Sequence, residues 1–258
     1  MNNTKNLLIT GGLGGIGLEI VKLFYKKKYN IIILDNKKIS FFNNLNTNTN
    51  NNNFIKYIKI DLTKPILIKK CFFKIKKEYL SIDVLINCVG IQHVDEIVSF
   101  PSIKWKNIID LNLSSSFYTT KYALQSMKKN NSGRIINIAS VHGQVASINK
   151  SAYVASKHGM IGLTKTTALE TATSNITCNA ICPGWVNTEL VSKQLDKKIK
   201  INKSNRKIEI NKLLSDKHPN LKFIPAKAIA SLSFYLCSKE ASEITGSSIN
   251  IDGGWTSQ

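Results

Sequence analysis

Seven short apolar runs punctuate the 258-residue chain, and longer amphipathic stretches separate most of them. A parallel strand covered on both faces reads as a continuous apolar run, and a return to the same edge of the sheet needs a crossover, usually a helix. The alternation therefore confines the chain to βαβ units stacked into an α/β layer structure. Strands are predicted at Asn6–Thr10, Asn30–Leu34, Phe54–Ile60, Val84–Asn87, Gly133–Ala139, Ile176–Ile181 and Ser248–Ile251. Helical periodicity is predicted over Ile16–Lys28, Lys64–Tyr79, Ile103–Lys129, Ala152–Thr173 and Ala226–Cys237, with further helix around Val191–Ser215. Right-handed crossovers then give a doubly wound, seven-stranded parallel sheet with helices on both faces.

Two stretches break the rhythm. Asn43–Asn53 is almost pure Asn and Thr and is expected to be a loop. The Lys-rich, amphipathic stretch from Thr188 to Pro225 follows the sixth strand and is expected to form a helical lid over the strand ends. With no linker or internal repeat, one domain spanning residues 1–258 is expected.

Composition narrows the functional classes. Apolar residues make up 43% of the chain, yet no run approaches the roughly eighteen needed to span a bilayer, so no membrane partner is expected. The opening MNNTK leads directly into Leu7–Ile9 without a signal-peptide pattern, which points to the cytoplasm. The net charge of +20 raises the question of nucleic acid. The charge is nearly all lysine, however, with Arg134 and Arg206 the sole arginines, and it is scattered without a basic-aromatic module, so no nucleic-acid partner is expected. Cys71, Cys88, Cys178, Cys182 and Cys237 form no CxxC pair and are expected to be reduced. His93, His158 and His218 lack partners at metal-ligand spacing and are expected to be structural or exposed, with no catalytic metal.

The first strand runs into TGGLGGIG, Thr10 to Gly17, and a helix follows at once. Glycines at this position let the backbone turn sharply and approach a pyrophosphate, whose charge is favoured by the amides and dipole of the helix start. Thr10, Gly11, Leu13, Gly15, Ile16 and Gly17 are the candidate contacts. About twenty residues on, Asp35 ends the second strand, where a carboxylate accepts hydrogen bonds from the adenosine ribose and repels a 2′-phosphate. NAD is therefore expected rather than NADP, although Lys37 and Lys38 offer charge that a phosphate could use. Asp61 and Leu62 end the third strand similarly and are candidates for the adenine.

Further along stand Asn87-Cys88-Val89-Gly90, Asn112, Ser140, Tyr153-x-x-x-Lys157 and Pro183-Gly184 with Val186 and Thr188. This series, with the glycine loop, resembles the short-chain dehydrogenase/reductase family along nearly the whole chain. NCVG replaces the usual NNAG but keeps its glycine. The resemblance implies a Rossmann fold, with Asn87, Gly90, Pro183, Gly184, Val186 and Thr188 holding the nicotinamide half of the cofactor. It also implies a catalytic set of Asn112, Ser140, Tyr153 and Lys157, and a homotetramer. Tyr153 and Lys157 are four apart on a predicted helix and so share a face. A neighbouring ammonium and a positive nicotinamide would both favour the phenolate, making Tyr153 the proton acceptor when hydride leaves the substrate carbon.

The segments GIQH, SVHGQVASINKSAYVASKHG, TALETA, NAICPGWV and DGGWT are similar to those of the bacterial D-3-hydroxybutyrate dehydrogenases within that family. That likeness implies NAD-dependent interconversion of (R)-3-hydroxybutyrate and acetoacetate, a small hydroxy/keto acid pair. Gln92, His142, Lys150 and Gln194 would surround the carboxylate beside Ser140 and Tyr153, with Trp255, and Trp185 as well, as an apolar wall. The alternatives are an NADPH-dependent 3-oxoacyl carrier-protein reductase and, more distantly, a non-enzymatic Rossmann protein that senses a dinucleotide or binds nucleic acid.

Overall fold

The computed structural model describes residues 4–37, 53–79 and 81–257. In chain order the elements are β1 (Asn6–Thr10), α1 (Gly15–Lys26), β2 (Asn30–Asp35), β3 (Ile55–Lys59), α2 (Pro65–Tyr79), β4 (Val84–Asn87), α3 (Ser102–Ile109), α4 (Ser115–Asn130), β5 (Gly133–Ile138), α5 (Ser151–Glu170), β6 (Ile176–Pro183), α6 (Glu189–Asn202), α7 (Arg206–Lys217), α8 (Ala226–Leu236) and β7 (Ser248–Ile251). The strands form one parallel sheet in the order β3-β2-β1-β4-β5-β6-β7.

β1 shows why the sheet is apolar through and through. Leu7 and Ile9 face a core that includes Ile20, Val21 and Phe24 of α1 and Ile229 and Leu236 of α8. Leu8 faces the opposite core, with Ile68, Phe72 and Ile75 of α2 and Ala123 and Met127 of α4. All three leucine and isoleucine side chains are fully buried, as strand alternation requires of a sheet covered on both faces. The chain order reverses between β1 and β4, which opens a crevice at the carboxyl ends of those strands.

Several boundaries differ from the sequence reading. β3 is shorter by a residue at each end, and β6 runs on to Pro183. The single helix predicted over Ile103–Lys129 is interrupted at Asp110–Ser114 by a π-helical stretch, with Asn112 buried at its centre. The helix predicted around Val191–Ser215 is two helices, α6 and α7, separated where Lys203 turns into the left-handed region at φ 46°. Asn43–Asn53, apart from Asn53 itself, and Lys38 lie outside the described residues.

Candidate active site

The glycine loop and its neighbours build a cleft whose form fits a dinucleotide. Gly11 has φ +68°, and a Cβ there would stand 2.8 Å from the Val89 backbone. A Cβ on Gly17 would overlap the Gly11 carbonyl oxygen. Helix α1 starts at Gly14–Gly15 without a side-chain cap and without an acid in its first turn, so its leading amides and dipole face the cleft uncompensated. Asp35, 6% exposed, accepts a hydrogen bond from the Leu13 N–H at 3.1 Å and another from the Lys37 N–H at 3.1 Å. Gly15, Ile16, Asp61, Leu62, Gly90 and Thr188 are among the other residues that line it.

Three expected contacts shape this cleft from behind instead of opening onto it. Thr10 is fully buried, and its hydroxyl accepts from the Cys88 and Val89 N–H groups at 3.1 and 3.3 Å, tying β1 to the loop after β4. Leu13 packs in the core while its N–H is engaged by Asp35. Asn87 spends its amide on Asn137 and Thr120, at 2.8 and 3.4 Å, and accepts from Thr119 at 2.7 Å. The reason is common to all three: their polar atoms satisfy buried backbone or side-chain partners, as burial requires. Asp61 accepts from the Thr63 N–H and hydroxyl, a turn leading into α2, and the hydroxyl bond holds its carboxyl below the usual range.

The cleft continues into a cavity at the ends of β5 and β6, lined by Ser140, His142, Tyr153, Lys157, Pro183, Gly184, Val186 and, at its far end, Gln92, Lys150, Gln194 and Trp255. The Lys157 ammonium donates to the Ile138 carbonyl at 2.7 Å and sits 5.7 Å from the Tyr153 ring centroid. Asn112 grips the Ile91 backbone with both ends of its amide, each at 2.9 Å, and donates to Ser156 at 3.2 Å. The π-helical stretch thus fixes the loop carrying Gly90 and Gln92. Ser140 stands in extended conformation after β5, where its Oγ accepts from the His142 N–H at 3.2 Å and starts the short turn Val141–Gly143.

The electrostatics differ from the sequence argument in one respect. Burial pushes the Tyr153 phenol up to about 12, against the lowering effect of the Ser140 hydroxyl, and pushes the Lys157 ammonium down to about 8. Within the protein, desolvation therefore outweighs any acidifying effect of Lys157 on Tyr153. His142 is driven to about 3, first by burial and then by Lys150, so it is a neutral imidazole at physiological pH. Its ring nitrogens lie 2.9 Å from the Ser147 hydroxyl and 3.4 Å from that of Ser140.

The far end has a polar and an apolar side. Lys150 is 7% exposed, lies 4.4 Å from the Trp185 ring centroid, and has no carboxylate partner among the described residues. The buried Nε2 of Gln92 and Nε1 of Trp185 also lack acceptors there. Trp185 and Trp255 lie 5.6 Å apart at 31°, with His142 edge-on to Trp255 at 5.3 Å. Gln194 lines the cavity from α6, which with α7 occupies the expected lid.

Two residues position the tryptophan wall: His218, expected to be structural or exposed and found structural, and Asp252, which the sequence reading did not single out. His218 is fully buried, accepts from the Trp185 N–H at 2.8 Å and pairs with the Lys222 carbonyl at 2.8 Å. Asp252 accepts from the Gly254 and Thr256 N–H groups, which fixes the turn carrying Trp255. DGGWT contains the signal for the second. Nothing local singles out His218.

The family model for short chain dehydrogenases matches residues 5–199. The chain belongs to the short-chain dehydrogenase family. It is therefore an oxidoreductase of a family that binds nicotinamide dinucleotides. It is 42% identical to a D-beta-hydroxybutyrate dehydrogenase of Rhizobium meliloti, over 99% of this chain and all of that one. A protein of the same name from Cupriavidus necator is 40% identical over the full length of both. Among solved structures, the aldohexose dehydrogenase of Thermoplasma acidophilum superposes with a TM-score of 0.87 at 33% identity, covering 99% of this chain and 95% of that one.

Proposed function

We propose that this dehydrogenase interconverts (R)-3-hydroxybutyrate and acetoacetate with NAD as cofactor. The observation that carries the substrate assignment is Lys150: a buried cation without a carboxylate partner among the described residues, in the same cavity as Tyr153 and Ser140. A buried ammonium is costly to leave uncompensated, and a small carboxylate supplies the missing charge. The unmatched N–H groups of Gln92 and Trp185 add donors for that anion, while the faces of Trp185 and Trp255 offer an apolar surface for a methyl group. The two relatives named for this reaction support the same assignment.

A bound nicotinamide dinucleotide supplies the hydride acceptor or donor. Tyr153 takes the hydroxyl proton during oxidation and returns it during reduction, with Ser140 holding the same oxygen. Burial raises the phenol, which leaves it protonated at neutral pH, the form that donates to the carbonyl oxygen during reduction. Lys157, held by the Ile138 carbonyl, keeps a positive charge beside the phenol and the cofactor ribose. Asp35 supports NAD: a 2′-phosphate about 4 Å from its carboxylate would cost on the order of 4 kcal/mol per unit charge at an effective dielectric near 20.

The test is a steady-state panel of acetoacetate, its neutral methyl ester and pyruvate, each with NADH and NADPH. Acetoacetate with NADH is expected to give the highest kcat/KM. Preference for the ester would remove the Lys150 assignment, preference for pyruvate would remove the 3-hydroxybutyrate assignment, and dependence on NADPH would remove the cofactor assignment.

A further inference from the structure

At the adenosine end of the cleft an acidic residue of the lid bridges two lysines. Glu189, the first residue of α6, contacts Lys37 just beyond β2 at 2.8 Å through one carboxylate oxygen, and Lys193 at 2.8 Å through the other. The two ammonium groups hold the Glu189 carboxyl down to about 2, so the charge persists across the working pH range. Lys37, Glu189 and Lys193 line the same cleft as Asp35, and the Lys37 backbone is fixed there by the Asp35 carboxylate and the Tyr57 hydroxyl. The base of the lid is also seated on the glycine loop, since a Cβ at Gly15 would stand 2.9 Å from the Thr188 methyl group. The bridge therefore crosses the mouth of the cleft where the adenosine ribose of a dinucleotide would lie.

We infer that Glu189 is a second determinant of cofactor choice, acting by neutralising two lysines that would otherwise draw a 2′-phosphate into the cleft. The inference rests on the NAD reading and deepens it. Asp35 repels the phosphate directly and Asp61 lines the same cleft, but Lys37 and Lys193 put two positive charges there that would offset both carboxylates. With Glu189 the five charged side chains sum to one net negative charge. Without it they sum to zero, and the ribose 2′-hydroxyl of NAD, being neutral, should feel little of the difference. An exposed bridge contributes little to stability, so its loss should leave the fold intact.

The experiment is titration of purified Glu189→Gln protein with NAD and with NADP, following tryptophan fluorescence or heat. Asp196→Asn is the control, because it makes the same change in net charge on α6 at a carboxylate paired with Arg206 at 2.8 Å and absent from the cleft lining. One added unit of charge about 8 Å from the phosphate, at a dielectric between interior and water, corresponds to about a fivefold gain. NADP affinity is expected to rise about fivefold in Glu189→Gln, with NAD affinity within about twofold, and the gain is expected to vanish in roughly 0.5 M salt. Asp196→Asn is expected to do neither. An unchanged NADP affinity overturns the proposal, as does an equal gain for both dinucleotides or an equal loss. Parent protein that binds NADP more tightly than NAD refutes the NAD reading itself, whatever the variant does.

Discussion

Replacing Lys150 by methionine should raise stability and remove most of the activity, and both effects follow from one buried charge. The ammonium is 7% exposed and its pKa falls from 10.5 to about 8, with burial the main cause and the charge of Lys198 next. At about 1.4 kcal/mol per pKa unit, the folded protein carries a penalty of about 3 kcal/mol for keeping the group charged. A lysine depressed in the folded state gives full stability above its unfolded pKa and loses it as pH falls through the folded value. The whole penalty is therefore present at pH 7. Methionine keeps the length of the side chain and removes the charge, while forfeiting the contact with Trp185, which contributes about 1–2 kcal/mol. The net gain is about 1–2 kcal/mol, or roughly 3 °C in Tm for a chain of this size. Loss of the ammonium about 4 Å from a substrate carboxylate, at a dielectric near 20, removes on the order of 4 kcal/mol, which lowers kcat/KM for acetoacetate about a thousandfold. Differential scanning fluorimetry at pH 7 and pH 10, with steady-state kinetics at pH 7, measures both effects, and the gain in Tm should shrink at the higher pH. A fall in Tm at pH 7, or kcat/KM within about tenfold of the parent, would refute the reasoning.

Three further outcomes follow from the geometry. Tyr153→Phe is expected to lower kcat at least about a thousandfold while leaving the dinucleotide Kd within about twofold, because only the transferable proton is lost; stopped-flow turnover and equilibrium titration read the two quantities. Gly17→Ala forces a methyl group onto the Gly11 carbonyl and should weaken dinucleotide binding about a hundredfold, or about 2.7 kcal/mol, so a Kd within threefold of the parent would contradict the proposed loop geometry. His218→Ala leaves the Trp185 N–H and the Lys222 carbonyl without their partner in a buried site, and urea unfolding should show a loss of about 3 kcal/mol. The same variant should raise KM for acetoacetate more than it lowers kcat, since His218 positions a wall of the cavity and touches no reacting atom.

The amino-acid pattern alone determined the layered α/β architecture, the location of all seven strands, the glycine loop and the shared face of Tyr153 and Lys157. These are local properties: strand and helix periodicity and turn-forming glycines are written within a few residues of one another. Resemblance named Lys150 as a carboxylate contact, but pattern and spacing did not show that it is buried, because burial depends on Trp185, Trp255 and α6 arriving from distant segments. Periodicity did not show the π-helical stretch around Asn112, which the family resemblance implies as a break in the helix, since its justification is a pair of hydrogen bonds to Ile91, twenty-one residues away. Only the assembled sheet brings His218 beneath Trp185 and Glu189 against Lys37, 152 residues apart in the chain. The same assembly decided that the Tyr153 phenol is raised and the Lys157 ammonium lowered, because desolvation is set by everything that packs around a group and is invisible in its spacing.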